Sequence, residues 1–416
     1  MSVQTTGARF QAGTRLLTGG TLRRGARHRL KHARPIHPWA FYAVSFASFG
    51  GPLALAAMGA PALLADSGDS AGLATLVSIA VFAVPLWIWL RYSRHVQSAG
   101  GLFAFVEAAA GRRVALAQAA AWTVSYVLYL VYTTVQIVYD LLPAVVPGER
   151  RYQTLLALLI PLAVAAVMVA GRAAVLIVIG IIAAGQLALA AALDGVTLAH
   201  VSTPLSTFGA ATPAGALAKA SAQNSLLYVC GSLPLFLGGE LPRPTRTIRR
   251  GLTGAFLLTG LVVVLAVAPL ASAPGLLRTA IPGVTVAQEF SGQGLAEAIG
   301  IGVAVSTAGL ILLEYLALTR LLTAIGGWPI RTITLALAAV MVAAAPFTLI
   351  DPQGFYKALL TPSLAALWIS QLIIFAAYPS FVARQRERVR PAWVVSLAAS
   401  GLAIYGLVTA LQHASS

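Results

Sequence analysis

Eleven apolar stretches, each long enough to cross a bilayer, fill this chain almost from end to end. They cover residues 39–65, 71–92, 112–142, 153–170, 173–193, 216–240, 251–272, 295–322, 330–350, 355–382 and 391–411. About 20 apolar residues, rising ~1.5 Å each, cross the ~30 Å of hydrocarbon in a membrane. Lipid offers no hydrogen-bond partner, so the backbone of such a stretch must satisfy itself, and a helix does this within one segment. The runs are continuous rather than alternating, which argues against the strands of a transmembrane barrel. With 58% hydrophobic and 10% charged residues, little chain remains for a soluble domain. The sequence predicts an all-α polytopic membrane protein with about eleven transmembrane helices.

A net charge of +16 would suggest nucleic acid in a soluble chain. Here its distribution points to topology instead. If the N-terminus is cytoplasmic, only Arg150, Arg151, Lys219, Arg278 and Lys357 of the 28 Lys and Arg residues fall outside. The rest lie in the N-terminal tail or in connections on the inner side, where positive charge is retained. The expected orientation in the plasma membrane is therefore N-terminus inside and C-terminus outside. Residues 1–38 are Arg-rich without an apolar run, so they are no cleavable secretion signal. They read as a disordered cytoplasmic tail that touches anionic lipid, not nucleic acid. Cys230 is the only cysteine, which excludes an internal disulfide and a Cys-based metal cluster. No nucleotide-binding loop, His-Glu-x-x-His pattern or Gly-x-Ser-x-Gly elbow occurs. No cofactor or metal is expected, and any pumping would draw on a gradient.

Breaks within the spans carry the next signal. The first span holds Gly50, Gly51 and Pro52 near its middle, and the sixth holds Gly231, Ser232 and Pro234 in a similar place. Proline removes an amide donor, and glycine tolerates an unwound backbone. Single Gly and Pro residues often do no more than kink a membrane helix. A matched pair, in two halves of opposite direction, is the mark of a solute site at the membrane midplane. Few charges enter the spans. Glu314 lies in the eighth, two turns after Ser306 and Thr307; it is either a proton-carrying group or a structural carboxyl bonded to a neighbouring helix. Glu240 closes the sixth span near Arg243 and Arg246, which suits an ion-pair gate or a plain helix-end pair. Tyr126, Tyr129 and Tyr132 stud the third span, where packing or interfacial anchoring accounts for most of them.

Three stretches together resemble the amino acid–polyamine–organocation transporter superfamily. Ser98, Ala99, Gly100 and Gly101, followed by Phe103 and Phe105, are similar to that family's segment between spans 2 and 3. Glu240, Pro244, Arg246, Ile248 and Arg250 match its motif after span 6, with Arg249 where a proline is usual. The stretch 316–329 is similar to its closing sequence of span 8. The resemblance implies two inverted five-helix repeats, spans 1–5 and 6–10, with substrate held between the two breaks. It divides the chain into the basic tail 1–38, a transporter core 39–385 and an additional helix 391–411. Three departures stand out. Ser232 and its neighbours occupy a break that is acidic in several members; span 5 has Gln186 and no lysine; and eleven spans replace the usual twelve.

The combined expectation is an amino acid permease-like secondary transporter, working by alternating access on an amino acid or related amine. The substrate-binding candidates are Gly50, Gly51, Pro52, Tyr228, Val229, Cys230, Gly231 and Ser232. Amides after Gly51 would meet a carboxylate, and carbonyls around Val229–Ser232 would meet an ammonium. The gating and coupling candidates are Glu314, Ser306, Thr307, Glu240, Phe236 and Tyr126, with Phe236 or a third-span tyrosine as an outer lid. Ser306 and Thr307 could serve Na⁺, but Glu314 favours a proton, or plain exchange, over it. A membrane-embedded enzyme is the alternative from another class, although none of the six His residues lies within a span. A non-transporting membrane sensor also fits the sequence.

Overall fold

The computed structural model describes residues 35–58, 70–145, 149–200, 203, 205–271 and 281–412. Most of the basic tail and the expected ends of spans 1 and 7 lie outside these residues. Among the described residues the chain is helical throughout, without strands. Ten helices are long and apolar enough to cross a membrane. The eleventh crossing is the sixth span, whose two differently wound halves are each too short to count alone. The protein is a multi-pass membrane protein with two inverted five-helix halves, spans 1–5 and 6–10, each opened by a broken helix.

Local chemistry sets the ends and interruptions of these helices. Pro38 begins span 1 where its missing N–H costs nothing, and the His37 ring accepts the Trp39 N–H at 3.4 Å. The helix stops at Ser48, Gly50 and Gly51 take φ of +75° and +69°, and a second helix runs over 52–58. Only glycine adopts such angles without a Cβ penalty, so the Gly-Gly-Pro triplet ends one helix and starts the next. Span 6 is α-helical over Ala214–Leu226 and then winds as a 3-10 helix over Val229–Glu240. Twelve residues is long for that form, which seldom exceeds ~4. The break thus begins before Gly231, and the half beyond it is tightened rather than unwound. Span 3, Arg112–Val135, passes into a π-helical segment at Gln136–Leu141.

Span 5 corrects the hydropathy limits. It runs Arg172–His200 instead of stopping at residue 193, because Asp194 and Thr197 are buried inside the helix rather than marking its end. Span 7 likewise starts at Pro244, a turn and more before its apolar run.

Spans 1 and 8 are the most enclosed, with 72% of each apolar window buried, against 28% for spans 4, 5 and 11. The broken first helix and the Glu314 helix therefore form the centre, and spans 4, 5 and 11 face lipid. Polar side chains join helices that lipid cannot drive together. Gln118 Nε2 of span 3 donates to Ser370 Oγ of span 10 at 2.9 Å, and Asn224 Nδ2 of span 6 donates to Ser78 Oγ of span 2 at 2.6 Å. Span 11 leans on span 10, where Ser396 Oγ donates to the Phe375 carbonyl at 2.7 Å and Gly406 lies against the Trp368 indole. Trp39, Trp328 and Trp393 are exposed at the end of the bundle where span 1 begins, as an interfacial belt would be.

Candidate functional site

The two breaks meet in the middle of the bundle. A methyl group on Gly50 would lie 2.9 Å from the Leu227 carbonyl oxygen, and one on Gly231 would enter the ring of Phe49. Gly51 faces span 8, where a methyl would overlap the Ser306 hydroxyl. Glycine is required at all three positions because backbone and side chains of the neighbouring span approach so closely. From span 3, the Tyr126 hydroxyl donates to Cys230 Sγ at 3.9 Å, so a tyrosine closes on the broken sixth helix.

Glu314 is fully buried, and neither carboxyl oxygen has a hydrogen-bond partner among the described residues. It lies within electrostatic reach of Cys230 and of Tyr126, Tyr129 and Tyr132. The structure thus brings Glu314 to the face of span 8 that looks on spans 3 and 6. Ser306 Oγ is also buried without a partner, whereas Thr307 Oγ1 donates to the Val303 carbonyl of its own helix at 3.0 Å. Of the two hydroxyls, Ser306 alone is uncommitted. Gln186 in span 5 is buried with both amide atoms unpartnered.

Several expected roles change. Tyr228 is turned away from the junction and packs on Phe82 and Phe256 of spans 2 and 7, with ring centroids 5.7 and 5.6 Å away. Ser232 Oγ donates to the Val229 carbonyl at 3.2 Å, and the Gly231 N–H to the Tyr228 carbonyl at 3.0 Å. Of the carbonyls expected to receive an ammonium, that of Val229 thus already accepts one hydrogen bond, from a side chain of its own segment. Phe236 is no outer lid. It lies on the side of the break nearer the start of span 1, its ring centroid 4.6 Å from that of Trp122 at a 40° tilt, and pressed against Gly101, whose φ of +49° opens the short helix Leu102–Ala110.

Glu240 pairs with neither Arg243 nor Arg246. Its carboxylate accepts from Arg172 Nη1 of span 5 at 2.5 Å and from Arg320 Nε of span 8 at 3.0 Å. Its backbone carbonyl takes the Ile36 N–H at 3.0 Å. Arg320 is itself buried and also bonds Thr319 Oγ1 at 3.1 Å. Three spans and the entry to span 1 are thus tied at one end of the bundle. Arg172 and Arg320 were legible only as basic residues at helix ends, and Trp122 was marked by no signal beyond its place one turn before Tyr126.

No protein-family model matches the chain, and no curated protein does. Solved structures do. A crystal structure of MhsT in complex with L-phenylalanine superposes with a TM-score of 0.64 at 14% identity, covering 92% of this chain and all of the other. A substrate-bound, outward-open Na⁺-coupled sialic acid symporter gives a TM-score of 0.58 at 11% identity, covering 97% of this chain and 96% of that one. At such identities the likeness concerns architecture, and the chain shares the fold of these two structures.

Proposed function

We propose that this protein is a secondary active transporter of the amino acid–polyamine–organocation type, moving an amino acid or related amine across the plasma membrane by alternating access. The observation that carries this reading is the meeting of two broken helices beside buried polar groups that have no partner, Glu314 and Ser306. A folded chain that leaves such groups unsatisfied in its interior leaves partners for something else to supply. In this reading residues 39–385 are the transporting core, residues 391–411 an additional transmembrane helix, and the basic tail lies in the cytoplasm; the lack of a twelfth span alters association more than transport. The substrate site comprises Gly50, Gly51, Pro52, Val229, Cys230, Gly231 and Ser232, with Tyr228 supporting the break from behind.

The coupling ion in this reading is a proton, or the protein is an exchanger, because Glu314 is the carboxyl group nearest the junction. A second reading is Na⁺. It is favoured by the free Ser306 hydroxyl against Gly51 and by the Na⁺ coupling of one structural neighbour. Uptake of labelled amino acids and amines by proteoliposomes, with pH and Na⁺ gradients imposed separately, tests the whole proposal. Substrate accumulation driven by either gradient supports it. No uptake across a broad panel under both would favour an enzyme or a sensor instead.

A further inference from the structure

We propose that Glu314 is a single post for two cations, holding either a proton or the ammonium group of a monocationic amine that lacks a carboxylate, so that the two exchange. This deepens the transporter reading and rests on it. Glu314 is fully buried, both its oxygens lack a partner, and no cationic side chain acts on it. A bare carboxylate in such a place is untenable, and two things can neutralise it: a proton, or a cation brought by a ligand.

The groups facing Glu314 leave this choice open. Span 3 offers the hydroxyls of Tyr126, Tyr129 and Tyr132, and span 6 the thiol of Cys230, none of them a cationic side chain. Arg320 of the same helix is committed to Glu240. Spans 4 and 9 carry no titratable side chain at this depth, and the ionisable groups of spans 1 and 5 (Tyr42, Arg172, Asp194 and His200) lie toward the helix ends. The π segment and the helix before span 8 hold Tyr139, Asp140 and Glu289, at the opposite end of the bundle from Glu240.

Two further observations select the ligand. The carbonyls of Tyr228 and Val229 each already accept one hydrogen bond, whereas both oxygens of Glu314 accept none, which makes Glu314 the stronger acceptor for an ammonium near Cys230. Tyrosine rings beside the carboxylate suit a cation, whose charge is drawn to the ring faces. A zwitterion would bring a second carboxylate toward Glu314 without a side-chain cation to offset it. In the exchange the carboxylic acid gives up its proton, which leaves with water on the open side, and the arriving ammonium pairs with the resulting carboxylate. No bond of the substrate changes, and no other reactant is needed.

The test measures protons released on binding by the purified full-length protein in a weakly buffered solution with a pH indicator. 2-Phenylethylamine is the amine and L-phenylalanine its zwitterionic counterpart. The expected result is release approaching one proton per amine bound at acid pH, fading as pH rises, and none with L-phenylalanine. Glu314→Gln should weaken amine binding on the order of a hundredfold or more. Amine binding without proton release at any pH, in the wild-type protein, would overturn the proposal whether or not the variant folds. Uptake in proteoliposomes separates the two levels. Transport of L-phenylalanine but not of the amine leaves the transporter reading standing and removes this one; no uptake of any solute removes both.

Discussion

Replacing Glu240 by glutamine removes a negative charge shared by Arg172 and Arg320 at the end of the bundle where span 1 begins. The carboxylate lies 3.0 Å from Arg320 Nε and 2.5 Å from Arg172 Nη1. At an effective dielectric of about 20, a unit pair at 3 Å attracts by about 5 kcal/mol. Loss of one partner from a buried pair costs about 3–5 kcal/mol. Arg320 is only 4% exposed, so after the substitution its charge is left with Thr319 Oγ1 and the Leu316 carbonyl. Glutamine still accepts one hydrogen bond, which favours the lower figure. A closed arrangement destabilised by about 3 kcal/mol, at 1.4 kcal/mol per decade, moves the balance toward opening at this end by about two orders of magnitude. The lone Cys230, 7% exposed and held by Tyr126, is a built-in reporter. A membrane-impermeant thiol reagent applied to the Glu240 side should modify the variant on the order of a hundred times faster than wild type, with no such gain from the other side. An unchanged rate, or an equal gain from both sides, would refute the idea that this ion pair closes the bundle.

Three other substitutions test separate parts of the structure. Gly51→Leu should insert and fold with reduced stability yet lose substrate binding, because even its Cβ meets the Ser306 hydroxyl at a φ of +69°; normal binding measured by calorimetry would show that the junction is not the substrate site. Gly101→Ala drives a methyl to within 2.5–2.8 Å of the Phe236 ring, and overpacking of this kind costs about 1–3 kcal/mol. Thermal unfolding should show the loss, and adding Phe236→Leu should recover part of it. Gly406→Ala presses on the Trp368 indole and should loosen span 11 by a similar amount; crosslinking should report altered association while proteoliposome uptake is kept.

The class of fold was plain in the apolar runs, and the two breaks were plain in their Gly and Pro residues, because both follow from the backbone's needs within one segment. What the sequence could not supply is how a segment satisfies those needs once broken. Pro234 marks a missing donor, yet the half beyond Leu226 tightens into a 3-10 helix over Val229–Glu240 instead of unwinding, so its carbonyls are not the open row that an unwound segment would present. Glu240 was read against Arg243 and Arg246 because these are near in sequence. Its partners stand 68 and 80 positions away, on helices whose facing sides depend on packing. The apolar run of span 5 stops at residue 193, yet the helix continues, and Asp194 just beyond that limit is 95% covered by protein. Tyr228 was placed by its nearness to the break and Phe236 by likeness to the superfamily's outer aromatics, and neither says to which side a ring turns.

The winding of span 6 has a mechanical consequence. A 3-10 helix rises about 2.0 Å per residue and an α-helix about 1.5 Å. The twelve residues Val229–Glu240 are therefore about 24 Å long as they stand and would shrink to about 18 Å if rewound as α-helix. That stroke of about 6 Å is twice the length of the Glu240–Arg320 contact. A ligand that altered the winding beside Cys230 would thus pull Glu240 off its two arginines, turning the half-helix into a rod that delivers a change at the centre to the latch at the end.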